Sequence, residues 1–206
     1  LCLVIGIFSA SLRPAAEVSR RTQELNSAEL IADDLLETVR SKVETATDYI
    51  KCYDNGADVT NKTGSSEGSA IEFGYETEQG YNAAELLTAD GCGPTKIVIA
   101  DKDSGEQPRV EKGYLVERYY KDGYSQDADG NPIARAMTKT YAEGFYMGLR
   151  AGLHFKIDEA KHTVTATVTI YRDKDLTDKI YSDSLIIDLR YDIPVKTGVT
   201  ATKKPA

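Results

Sequence analysis

Two histidines, three cysteines and a surplus of carboxylates are the groups through which this chain could do chemistry. His154 and His162 fall on or beside polar positions of alternating segments, which makes them solvent-facing strand residues rather than paired general bases. The chain holds no Gly-x-Ser-x-Gly elbow, no glycine-rich phosphate loop opening a helix and no His-Glu-x-x-His motif. Glu76/Glu78 and Asp101/Asp103 are close carboxylate pairs, but in an acidic chain such pairs read as solvated turns. The segment Asp127-Ala128-Asp129-Gly130-Asn131 is sharper. Asp127, Asp129 and Asn131 place oxygen ligands at alternate positions with Gly130 for a tight turn, as in the first part of a calcium loop. Thr138 stands where the closing bidentate glutamate would be, and the same residues also suit a plain β-turn.

Cys2 lies in an apolar stretch, whereas Cys52 and Cys92 lie beside the turn residues Asp54-Asn55-Gly56, Gly91 and Gly93-Pro94. An oxidising compartment would allow a Cys52–Cys92 bridge and leave Cys2 over; three unrelated thiols are the alternative. No pair has metal-ligand spacing. The inventory therefore leads to the expectation of a non-enzymatic protein, with calcium the one cofactor it raises.

The formal net charge of −8, from 25 basic and 33 acidic residues, opposes nucleic-acid binding, which needs a basic surface. Apolar residues at 41% and a length of 206 suffice for a packed core, in one domain or one domain plus an extension. Thirteen tyrosines and no tryptophan suit an extracellular structural protein or a binding module equally. The chain begins with Leu1 rather than Met, which reads as a processed product or a fragment.

The elements that would position these residues follow from periodicity. Leu1–Leu12 is uncharged but too short to cross a bilayer, which takes about 20 residues. It reads as the second half of a membrane segment closed by Arg13 and Pro14, or as a first buried element of a globular core. From Ala15 to Tyr53 no Gly or Pro intervenes, and Leu25, Ala28, Ala32, Leu35, Val39, Val43, Ala46 and Ile50 recur at steps of three and four. Ile31 and Leu36 widen that stripe. The pattern predicts a single amphipathic helix over 15–53, about 58 Å long at about 1.5 Å per residue, stopped by Asp54-Asn55-Gly56. A coiled coil, or two helices broken near Arg20, would fit the same spacing.

Residues 56–69 read as a polar linker with an Asn61-Lys62-Thr63 glycosylation triplet. Beyond it, Ile71–Tyr75, Lys96–Ala100 and Tyr114–Tyr120 read as strands, Lys121–Pro132 as a loop, and Ala136–Leu149 as undecided between helix and strand. Leu153–Ile157, Thr163–Ile170 and Ser184–Arg190 alternate, with Ile186 on the otherwise polar side, and predict an antiparallel meander with one buried face. A helix across that face would complete a two-layer α+β core, a long N-terminal α-helix packed on an antiparallel β-sheet. The expected organisation is an apolar segment at 1–14, a helical stem at 15–53, a β-rich head at 54–194 and a tail at 195–206.

This layout, carried by Leu1–Leu12, Pro14 and the Ala/Leu/Val repeats of Ala28–Ile50, resembles the type IV pilin and pseudopilin superfamily in its divergent Gram-positive form. The resemblance covers about the first 53 residues by pattern and the sheet by architecture. It implies a subunit of an extracytoplasmic filament, a pilus or secretion pseudopilus, held in the membrane before assembly and packed afterwards against other filament subunits. Leu1, Leu3, Val4, Ile5, Ile7 and Phe8 would be its assembly residues and Pro14 a permitted kink. Calcium in the head of some pseudopilins adds weight to Asp127, Asp129 and Asn131. A membrane-tethered binding or adhesin module on a helical stalk is the competing expectation.

Overall fold

The computed structural model describes residues 2–47, 49–54, 57–58, 66–77, 80–88, 113–121, 125–126, 132–133, 136–139 and 141–189. One helix leads the chain, α1 (Cys2–Val43). Twelve strands follow: β1 (Ile50–Asp54), β2 (Ala57–Asp58), β3 (Ser66–Gly68), β4 (Ala70–Thr77), β5 (Gly80–Thr88), β6 (Leu115–Lys121), β7 (Ser125–Gln126), β8 (Pro132–Ile133), β9 (Ala136–Lys139), β10 (Arg150–Asp158), β11 (Thr163–Tyr171) and β12 (Lys179–Asp188). A short 3₁₀ turn (Glu143–Tyr146) precedes β10. The expected α+β class, a long helix with antiparallel sheet, holds.

The helix is not the one the spacing predicts. It begins twelve or more residues earlier, with Pro14 inside it, and ends at Val43 instead of Tyr53. Three causes act at its end. Thr45 turns its hydroxyl onto the carbonyl of Lys42 (2.6 Å), an acceptor that a further helical turn would use through the Ala46 amide, and Ser41 bonds back to the Thr38 carbonyl (2.8 Å). The amides of Thr45 and Ala46 close tight three-residue turns onto Lys42 and Val43. Beyond them, Tyr49, Lys51 and Tyr53, which carry polar groups, alternate with the apolar Ile50 and Cys52, and the segment enters a sheet as β1. Ala46 and Ile50 mislead because a step of four satisfies both the helical and the strand period.

The meander lies where the alternation places it. β10, β11 and β12 pair antiparallel, with Phe155 opposite Ala166 and Ala166 opposite Leu185; the β11–β12 register shifts between Ile170 and Tyr171, and β3 adds to the β10 edge. Leu153, Phe155, Ile157, Val164, Ala166, Val168, Ile170 and Ile187 form its buried face. α1 packs across β11 and β12 and covers that face with Ala28, Ile31, Ala32, Leu35, Leu36, Val39 and Val43. Each large aliphatic side chain sealed there contributes roughly 1.5–3 kcal/mol.

A second sheet, in the order β2-β1-β4-β5-β6-β9, was not anticipated as a separate layer. Its Ile50, Cys52, Ile71, Phe73 and Leu115 join the same core as the helix stripe. Segment 136–149 resolves into β9 and the 3₁₀ turn, whose Tyr146 is fully buried. The two sheets approach closely at Gly68, where a Cβ would overlap the Tyr53 carbonyl group. Gly68→Ala is therefore expected to lower the denaturant midpoint substantially. Gly144→Ala, with open space around the added methyl, is expected to stay within about 0.5 kcal/mol of the parent. Equal effects in chemical denaturation would refute the close-approach account.

Candidate assembly surface and buried polar cluster

α1 divides into two stretches by what it touches. From Ala28 onward every stripe residue is buried, whereas every residue from Pro14 to Gln23 is exposed. Leu25, expected in the packed stripe, is 44% exposed because the head ends beside it. Among the described residues, the last tie between helix and head is Glu24, which receives two hydrogen bonds from the Arg172 guanidinium at 2.8 and 3.0 Å. Arg172 sits at the β11–β12 turn and also pairs with Asp178. Further along, Thr38 and Tyr141 share a hydroxyl hydrogen bond (2.9 Å), and Lys42 pairs with the mostly buried Glu117 at 3.1 Å. These polar contacts sit at the edges of the apolar seam. Each exposed ion pair adds at most about 1 kcal/mol, so they set position more than stability.

The helix spans Cys2 to Val43, so about 22 residues, or about 33 Å, run beyond Glu24 as an arm. Pro14 lies within it, exposed, and removes the N–H that would meet the Ala10 carbonyl. Leu3, Val4, Ile5, Ile7 and Phe8 lie on this helix, but their side chains, and Leu1 altogether, lie outside the described residues. Among the described residues no helix is long and apolar enough to cross a membrane. Arg13, Glu17, Arg20 and Arg21 interrupt the apolar run.

Among the described residues, the constellation with chemical character is buried in the six-stranded sheet. Tyr49, Lys51 and Tyr53 of the β1 region share a face, and Glu72 of β4 stands opposite Lys51. Glu72 is fully buried, and Lys51 is nearly so. Both carboxylate oxygens of Glu72 accept tyrosine hydroxyls, Oε1 from Tyr49 and Oε2 from Tyr53 (2.9 Å). The Lys51 ammonium lies 5.2 Å from the Tyr49 ring centroid. A carboxylate taken from water must be hydrogen-bonded or paired, and two hydroxyls with a neighbouring cation meet that need. By register the row continues from Glu72 to Glu85 and Arg118, so two acidic positions are flanked by two basic ones. In the sequence Glu72 alternates with Ile71 and Phe73 and looks solvated, and Tyr49 and Tyr53 look helical. Only the strand assignment of β1 brings the three together.

The other groups separate. Asp127, Asp129 and Asn131 lie outside the described residues, between β7 and β8, which pair as a hairpin with Ser125 opposite Ile133. No group of three His, Cys, Asp or Glu residues among the described residues is placed to hold a metal ion. Cys52 is a fully buried core thiol 3.9 Å from the Phe155 carbonyl oxygen, not a turn residue in polar surroundings, and Cys92 lies outside the described residues. His154 is exposed on the solvent face of β10, and His162 is exposed in the β10–β11 turn. Tyr146, whose oxygen accepts the Leu115 amide at 2.9 Å, has its hydroxyl pushed up to about 12 by burial. Arg150 is buried over the Tyr114 ring (4.5 Å), and Gly113 leaves room for its stem.

Comparison with protein-family models, curated proteins and solved structures finds no match. The functional reading therefore rests on geometry.

Two outcomes check this description. Tyr53→Phe is expected to cost about 1.5–3 kcal/mol in chemical denaturation, the worth of a hydrogen bond to a charged group; no loss would remove the carboxylate clamp. At the β11–β12 turn, hydrogen bonds from the Thr177 hydroxyl and from the Asp178 and Thr177 amides hold the Asp173 carboxyl down at about 2, from an ordinary 3.8. A folded-state pKa below the unfolded one stabilises fully above about pH 4, and the contribution is lost as pH falls toward about 2. Asp173→Asn should lower Tm at pH 6 and converge with the parent near pH 2. Parallel pH profiles would contradict the assignment.

Proposed function

We propose that this chain is a structural subunit of an extracytoplasmic filament, pilin- or pseudopilin-like, assembled through the arm of α1. The observation that supports the reading is the division of one continuous helix at Glu24. Its second half completes the core of the head, and its first half leads away with no described head contact. The uncharged tip of that half, residues 1–12, must be buried against lipid or another protein chain. In this role the sheet is a scaffold that holds the helix in a fixed direction, and subunits associate through their helices. The membrane holds the precursor, and other copies or related subunits replace it in the filament.

Electron microscopy of the purified full chain beside a chain lacking residues 1–12 tests the proposal. Filaments from the full chain and dispersed particles from the shortened one are expected. Filaments from both would exclude the arm as the assembly element. A full chain that stays monomeric while adhering to cell surfaces would favour the tethered binding module instead.

A further inference from the structure

α1 carries two different surfaces on opposite sides. In the arm, Val18, Arg21 and Leu25 follow steps of three and four and share one side. That side continues the buried stripe, since Leu25 stands seven residues before Ala32 and eleven before Leu36. Val18 is 64% exposed. Over the head, Leu30, Asp33, Asp34 and Glu37 stand at the same steps on the side turned away from the sheet, and Leu30 is also 64% exposed. Glu29 borders that patch, and no basic residue occurs from Glu29 to Glu37. Glu29, Asp33 and Asp34 make no ion pair with any described residue, whereas Arg21 is held by an exposed one-turn pair to Glu17. Such a pair is worth about 0.3–0.5 kcal/mol and exchanges readily.

We infer that the arm of one copy docks on the outer face of α1 of a second copy, with Val18 against Leu30 and Arg21 against Asp33 and Asp34. This inference deepens the filament reading and rests on it. Complementarity of charge and spacing selects a second copy as the occupant. Val18 and Arg21 are three residues apart, as are Leu30 and Asp33, so one displacement brings both pairs together. That displacement is twelve residues, about 18 Å along parallel helices. The two surfaces face opposite sides of one helix, so a single straight partner cannot engage both. Each copy needs one neighbour for its arm and another for its stem. The contact is therefore heterologous and repeats, which excludes a closed two-fold dimer and, where the rotation between copies does not close a ring, produces an open filament. Arg21 gives the apolar contact its register, because a slip of one helical turn would leave the arginine beside Leu30 or Glu37 instead of the aspartate pair.

The test mixes two full-length variants, Val18→Cys and Leu30→Cys, under mild oxidation, with the parent chain as control for its own cysteines. Peptide mass spectrometry should find an 18–30 linkage in the mixture, and neither an 18–18 nor a 30–30 linkage when either variant is oxidised alone. Adding Arg21→Glu to the first variant should lower the yield severalfold, and adding Asp33→Arg and Asp34→Arg to the second should restore it. Filaments without the 18–30 linkage would overturn this contact and leave the filament reading standing. An 18–30 linkage without filaments would keep the contact and overturn the filament reading. Predominant 18–18 linkage would replace the staggered contact with a side-by-side one.

Discussion

Exclusion of water between α1 and the face of β11 and β12 is the constraint on which the other features rest. Ala28, Ile31, Ala32, Leu35, Leu36, Val39 and Val43 meet Val164, Ala166, Val168, Ile170 and Ile187 there, all of them buried. The small alanines let the helix lie close to the sheet, and the larger aliphatics fill what remains. Without the helix the β11 and β12 part of the meander face would lose its cover, since the second sheet meets the meander chiefly at β10. Without the sheet the helix stripe would have no partner, and a stretch of its composition draws most of its stability from such packing.

That seam explains why the polar ties sit where they do. Lys42–Glu117 and Thr38–Tyr141 lie toward the C-terminal end of the helix, and Glu24–Arg172 lies where the cover ends. Arg172 holds the Glu24 carboxyl below its ordinary range, and the two carboxylates around the guanidinium raise the arginine in turn. These contacts define the direction in which the arm leaves the head. A helix fixed by apolar packing alone could slide or rotate, and directional hydrogen bonds at both ends resist that.

The six-stranded sheet solves a different problem. Its β1 and β4 strands bury polar side chains on the side away from Ile50, Cys52, Ile71 and Phe73, and Glu72 must keep its hydrogen bonds because water does not reach it. Tyr49 and Tyr53 supply those bonds from same-side positions on either side of Lys51. The pairing ties the segment leaving α1 to β4, so the end of the helix is anchored on both sheets at once.

The helix stripe from Ala28 to Val43 and the β10–β11–β12 alternation were legible in the residues themselves. Side-chain direction in a helix or strand repeats with a local period that each sequence carries. The same locality misassigned Tyr49–Tyr53, because a step of four from Ala46 to Ile50 fits both periods, and it placed Leu25 inside a seam that ends before it. Asp127, Asp129, Asn131 and Cys92 lie outside the described residues, so neither the calcium loop nor the Cys52–Cys92 bridge is drawn by the fold. By itself the sequence determined that a long amphipathic helix precedes an antiparallel meander. Only the tertiary structure decided where that helix stops being covered, that Glu72 is buried between two tyrosines, and that Arg172 reaches Glu24 across 148 residues of chain. Those outcomes depend on which surfaces meet in space, and no local period records that.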